Sequence, residues 1–159
     1  MAVVLALSIA SSAFGSSPVH SRNVWATINV CDTAAHPDTI GVRASMAGTG
    51  SRGQRMYIRI TLDYFDRDAQ DWKPVGDAGD SKRFYVGAST HRVRQGGMSF
   101  AFQPPSDGSV LLLRGNVRFE WRRGRRVIYH TQQVTTDGHA EVGQADPAGF
   151  SAATCEIRA

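Results

Sequence analysis

The stretch Arg55-Met56-Tyr57-Ile58-Arg59-Ile60-Thr61-Leu62-Asp63-Tyr64 decides the fold. Met56, Ile58, Ile60, Leu62 and Tyr64 share one parity, and Tyr57, Arg59, Thr61 and Asp63 share the other. Side chains of a strand alternate between faces, so this is a strand with one face buried and one wet. Val117-Arg118-Phe119-Glu120-Trp121-Arg122 repeats the pattern. Val117, Phe119 and Trp121 form its inner face, and Arg118, Glu120 and Arg122 its outer face.

Shorter alternations fill the chain on either side. Residues 24–31 carry Val24, Ala26, Ile28 and Val30 on one parity, and residues 40–46 carry Ile40, Val42, Ala44 and Met46. Residues 84–86 read as a short edge strand. Met98, Phe100 and Phe102 alternate with Ser99 and Ala101, and residues 127–134 and 150–157 are rich in strand formers. Turn signals punctuate these runs: His36-Pro37-Asp38, Gly48-Thr49-Gly50, Gln95-Gly96-Gly97, Asp137-Gly138 and Asp146-Pro147. No sustained helical period follows residue 15. The pattern predicts an all-β fold, an antiparallel sandwich of about seven or eight strands. Residues 121–126 predict a hairpin with two readings. A loop at Arg123-Gly124 sends Ile128 to the core, and a loop at Arg122-Arg123-Gly124 sends Val127 and Tyr129 there. Residues 135–149 read as a loop or a frayed hairpin.

The chain has 159 residues, of which 42% are hydrophobic, enough for one domain with a real core. No apolar run reaches the roughly 18 residues of a membrane-spanning helix. Net charge is +4, carried almost entirely by arginine, which permits acidic partners. AVVLALSIA over residues 2–10, followed by SSAFGSS, has the apolar core and small-residue tail of a signal peptide. Small residues at Ser11 and Ala13, or at Ala13 and Gly15, fit a cleavage site. The expected organisation is a signal peptide over 1–15, a flexible lead-in over 16–22 and one sandwich domain over 23–159. The only two cysteines, Cys31 and Cys155, stand near the ends of that domain. An even count in an exported chain predicts a disulfide between them. The expected location is secreted.

The strand-rich body with Leu113-x-x-x-Val117-x-Phe119-x-Trp121 resembles immunoglobulin-like and fibronectin type III-like sandwiches. More closely, Cys31 in the first strand and the ending Gly149-Phe150-Ser151-Ala152-Ala153-Thr154-Cys155 resemble small secreted bacterial proteins with one disulfide between N- and C-terminal strands. The resemblance covers about residues 23–158. It implies an immunoglobulin-like sandwich and carries no activity or catalytic residue with it.

Several side-chain groups are candidates for function. Arg114, Arg118, Arg122, Arg123, Arg125 and Arg126 crowd one hairpin. Of these, Arg118, Arg122, Arg123, Arg125 and Arg126 are the expected polyanion-binding set. Few aromatics surround them in sequence, which argues against base stacking and so against nucleic acid. Trp72, beside an acidic loop, is the candidate carbohydrate contact. Asp66, Asp68 and Asp71 have a spacing that a calcium loop uses, without its central glycine or closing glutamate, so no metal is expected. The five histidines show no ligand spacing, and no Gly-x-Ser-x-Gly turn is present. No catalytic residue and no cofactor are assigned. The expected function is an exported, non-catalytic domain that binds an anionic cell-surface polymer or another extracellular protein. The alternatives are a secreted inhibitor or small-ligand carrier, and thirdly a hydrolytic enzyme.

Overall fold

A computed structural model describes residues 17–103 and 108–158. The signal-peptide reading of residues 1–15 lies outside the described residues. Nine strands follow in order: β1 (Trp25–Thr33), β2 (His36–Met46), β3 (Arg55–Asp66), β4 (Asp71–Pro74), β5 (Asp80–Ala88), β6 (Arg94–Ala101), β7 (Leu111–Arg123), β8 (Arg126–Val134) and β9 (Cys155–Ile157). They form two antiparallel sheets packed face to face. The smaller has the order β1-β2-β6. In the larger, β3 and β7 pair centrally, from Arg55 opposite Arg122 to Tyr64 opposite Leu113. β5 and β4 follow one another along the outer edge of β3, and β8 and β9 do the same along β7. Among the described residues, no helix is long and apolar enough to cross a membrane.

The alternations in sequence become the core. Met56, Ile58, Ile60 and Leu62 of β3 and Leu113, Val117, Phe119 and Trp121 of β7 face Ala26, Ile28, Ile40, Val42, Ala44 and Met46 of the smaller sheet, all fully buried. Gly115 has the same inward parity on β7. A Cβ there would stand 3.1 Å from both γ-carbons of Val42 and 2.7 Å from Thr135 Cγ2, so the missing side chain is the space that the opposite sheet fills. Trp121 donates its indole N–H to the Ala47 carbonyl (2.9 Å), which satisfies the one polar atom this large ring takes inside.

Three local readings are corrected. His36-Pro37-Asp38 is not the turn: residues 34 and 35 make it, and His36 already opens β2 with Thr33 opposite. Residues 17–22 are no loose lead-in. Pro18–His20 form a single 3-10 turn, Pro18 is buried, and Val19 packs on the core. The β7–β8 loop is Gly124-Arg125, with Arg123 opposite Arg126. A register shift then places Tyr129 opposite Trp121, so Tyr129 packs on the core without either of the expected loops. Gly124 has φ +57, which a side chain tolerates poorly and glycine adopts freely.

Cys31 and Cys155 are bonded, with a Cα–Cα separation of 5.4 Å. Cys31 ends in the smaller sheet and Cys155 begins β9 of the larger, so the bond ties the two sheets together at one side of the sandwich. The preceding chain prepares this crossing. Ala152 exchanges two backbone hydrogen bonds with Ile28 on the free edge of β1. The bond spans 124 residues, and a loop of that length restricts the unfolded chain by about 5 kcal/mol in the chain-entropy view. We expect Cys31→Ser/Cys155→Ser to lose about 2–5 kcal/mol in urea unfolding, seen as a lowered midpoint. A midpoint unchanged from the oxidised wild type would show that the strand pairing alone holds the ends.

Candidate functional site: an arginine–tyrosine face

Because β3 buries its even-numbered residues, its odd-numbered ones must stand on the outer face of the larger sheet. Register then decides their neighbours. Arg59 lies opposite Arg83 on β5 and opposite Arg118 on β7, and Arg118 lies opposite Gln132 on β8. One residue pair along, Tyr85, Tyr57, Glu120 and His130 form the next row across the same four strands. Arg55 opposite Arg122 opens a third. The result is a basic face with aromatic rings set into it. The Tyr57 and Tyr85 ring centroids are 5.6 Å apart. The Arg83 guanidinium stands 5.4 Å from the Tyr57 ring, and that of Arg55 stands 6.0 Å from the Tyr85 ring. Tyr85 is 55% exposed.

Two carboxylates organise the charge. Glu120, only 8% exposed, accepts from Arg118 Nε (2.9 Å) and Arg122 Nη1 (2.6 Å), and Arg83 Nη1 stands 3.8 Å away. Burial alone would raise its pKa. The hydrogen bonds from Arg118 and Arg122 outweigh that, and the carboxyl titrates below its ordinary value. Asp80 takes two bonds from Arg59 and two from Lys82, one from its ammonium and one from its amide, which hold it well below the usual carboxylate range. Between them, Arg59, Thr61, Asn116, Arg118 and Gln132 line a shallow depression of about 220 Å³.

The hairpin tip continues the face. Arg123, Arg125 and Arg126 are exposed, and among the described residues none has a carboxylate within ion-pairing distance. Arg122 behaves differently from its expected solvent-facing role. Its side chain is only 15% exposed, lying on Glu120 and donating from Nη2 to the Arg125 carbonyl (2.7 Å), where it braces the turn. Arg118 remains partly exposed at the centre of the face. The five expected residues are thus brought together, but in two roles: Arg118 and Arg122 grip Glu120, while Arg123, Arg125 and Arg126 present free charge. Sequence reasoning missed Arg55, Arg59, Arg83, Tyr57 and Tyr85. The outward parity of Arg59 and Tyr57 was legible, but their adjacency to Arg118 and Glu120 depends on which strands pair. The premise that aromatics are scarce around the arginines is overturned by the same pairing.

The other expected sites fare differently. Trp72 pairs with Phe65 across the β3–β4 hairpin, edge to face at 5.3 Å, and the Arg114 guanidinium lies 4.4 Å over its ring. That cation occupies a ring face on which a sugar would stack. Asp66 spends one oxygen on the amides of Asp68 and Ala69 and the other on Lys73, and Asp71 accepts from the Trp72 amide. These carboxylates shape a turn, and among the described residues no group of three is placed to hold a metal ion. His36, Thr33 and Asp146 do cluster, with His36 Nδ1 2.9 Å from Asp146 Oδ2. Ser99 lines the same cleft but pairs with Gly41, five residues along β2 from His36 and so about 16 Å away. That is too far for a nucleophile and its base.

Guanidinium groups keep their proton at any ordinary pH, so these arginines offer an anion fixed positive charge and no proton to transfer. Glu120→Gln should lose the charge-assisted half of two hydrogen bonds, about 1–3 kcal/mol at neutral pH. A carboxylate with a lowered folded pKa stabilises above the ordinary glutamate value, and that contribution disappears as pH falls through the folded value. Urea unfolding from pH 7 to pH 3 should therefore show the wild type approaching the variant in acid. Parallel curves would show that Glu120 contributes nothing through its charge.

No protein-family model matches the chain, and no curated protein matches it in sequence. The site therefore stands on its own geometry.

Proposed function

We propose that this is an exported, non-catalytic β-sandwich domain that binds an anionic polymer at the cell surface or in the medium through the arginine–tyrosine face. The observation that carries this reading is the row Arg83, Arg59 and Arg118 on three adjacent strands. Strands lie about 4.8 Å apart, and like charges directly opposite one another destabilise a sheet. Glu120 and Asp80 answer only part of that charge. Counting the tip, eight guanidiniums stand against two carboxylates on a chain whose net charge is +4. A polyanion laid across the face relieves the repulsion and releases its own counterions. The disulfide supports an oxidising compartment, in line with export. The row of charge across three strands favours an extended chain over a compact ligand, and the exposed Tyr85 ring, whose guanidinium neighbour stands farther off than the one over Trp72, gives a sugar ring or other flat group a surface to lie on.

Elution from immobilised heparin tests the reading with three variants of equal net charge. Arg59→Ala/Arg83→Ala/Arg118→Ala removes the central row, Arg123→Ala/Arg125→Ala/Arg126→Ala removes the tip, and Arg22→Ala/Arg67→Ala/Arg92→Ala removes exposed charge elsewhere. The first two should elute at clearly lower salt than the third. The slope of log affinity against log salt should fall by about 0.7–0.9 for each contacting arginine lost. Equal shifts in all three variants would reduce the face to net charge and end the proposal. Tyr85→Ala separates a purely ionic face from one that uses its rings: it should weaken binding while leaving the salt slope unchanged.

A further inference from the structure

A second polar site lies on the opposite sheet and is independent of the arginine face. Asn29, Arg43 and Ser99 have the outward parity of β1, β2 and β6, and residues 143–146 cross over them to form a cleft of about 520 Å³. This is the size range of small-molecule sites. Asn29 Nδ2 anchors the crossing segment by donating to the carbonyls of Gly143 and Gln144 (3.3 and 2.7 Å). At one end, Asp146 pairs its backbone with Val30 and its carboxylate with Thr33 and His36. At the other end lies Arg43.

Arg43 is the anomaly. Four arginines of the described residues are partly buried: Arg43, Arg114, Arg118 and Arg122. Arg114 has Asp63, and Arg118 and Arg122 share Glu120. Arg43 has no carboxylate within ion-pairing distance. Its Nη2 donates only to the neutral amide of Gln144, and its Nε is buried without any partner. Burial lowers its pKa. The site is shaped to hold the group there. A Cβ on Gly97 would stand 3.2 Å from Arg43 Nε and 2.5 Å from the Val42 carbonyl oxygen, so only glycine on β6 lets the side chain lie across the sheet. Partly buried cations are normally paired. Among the described residues no carboxylate pairs with this one.

We propose that the cleft binds a small hydroxylated carboxylate of the uronic acid class, with the carboxylate against Arg43 and hydroxyls toward Ser99 and Asp146. The class follows from the two ends. A guanidinium with no carboxylate partner among the described residues calls for an oxyanion. The Asp146 carboxylate repels a second negative charge and accepts from hydroxyls, so a molecule charged at both ends is excluded. Gln144 and Ser99 offer further polar contacts along the length between them.

Titration with glucuronate and with glucose, followed by backbone amide shifts at low salt, tests this on the wild-type protein. The two sugars differ mainly by the carboxylate. Glucuronate should bind at least about tenfold more tightly than glucose. Its shifts should map to Gly97, Ser99, Gln144 and Ala145. Arg43→Met should abolish that preference, and Arg43→Lys should retain part of it. Arg123→Ala/Arg125→Ala/Arg126→Ala should leave it intact, which separates this site from the polymer-binding face. Inorganic phosphate, a second probe, should bind more weakly than glucuronate because it lacks the outlying hydroxyls. Equal binding of glucuronate and glucose, shifts confined to the outer face of the larger sheet, or phosphate binding as well as glucuronate would each overturn the proposal.

Discussion

The pairing of β3 with β7 is the constraint on which the rest of the structure depends. Ten residue pairs run from Arg55 opposite Arg122 to Tyr64 opposite Leu113 without a register shift. Each strand alternates strictly, so this one alignment places Met56, Ile58, Ile60 and Leu62 beside Trp121, Phe119, Val117 and Gly115 on the inside. It sets Arg59 beside Arg118 and Tyr57 beside Glu120 on the outside by the same act. A slip of one residue would send Phe119 and Trp121 to water and the arginines to the core. The hydrophobic effect, acting on the inner face, therefore holds in place an outer face whose own charges repel.

That division explains how a cluster of arginines persists at little risk to the fold. Neighbouring guanidiniums across three strands are unfavourable alone, and Glu120 serves as their counterion from within the sheet surface. At the tip the burden is lighter, because Arg123, Arg125 and Arg126 extend into solvent, where charge is screened. The same charges make the β5 and β8 borders of the face poor templates for pairing with another sheet, an incidental protection for edge strands. The proposed binding and this protection are compatible uses of one arrangement.

The smaller sheet is finished by a different device. Its β1 edge is covered by the C-terminal segment, which pairs Ala152 with Ile28, bridges Asp146 to Val30 and then crosses to the larger sheet at Cys155. Polar residues that face outward on β1, Thr27 and Asn29, are buried beneath this segment and find their partners in it: Ser151 and Ala152 for the first, Gly143 and Gln144 for the second. Covering a sheet face with loop rather than helix leaves gaps between the loop and the pleat. One of those gaps is the cleft at Arg43.

The sequence by itself determined the all-β class, the inward parity of every central strand and the bonding of Cys31 to Cys155. Each of these rests on local periodicity or on there being only two cysteines to join. It also marked Arg118, Arg122, Arg123, Arg125 and Arg126 as a group, since neighbours along a hairpin are neighbours in space. It did not reveal that Arg59 and Arg83 join them, that Arg122 folds onto Glu120, or that Tyr57 and Tyr85 are set between the charges. The first and last of those facts depend on which strand lies beside which, and residues 24 to 63 positions apart in sequence meet only once the register is fixed. The β7–β8 turn shows the limit at its smallest scale. Gly124 announces a turn, but the choice of Gly124-Arg125 over its alternatives was made by Trp121 and Tyr129, which needed to pack on the same side. Local pattern decides which face of a strand is buried; only tertiary packing decides what that face, and the face behind it, will touch.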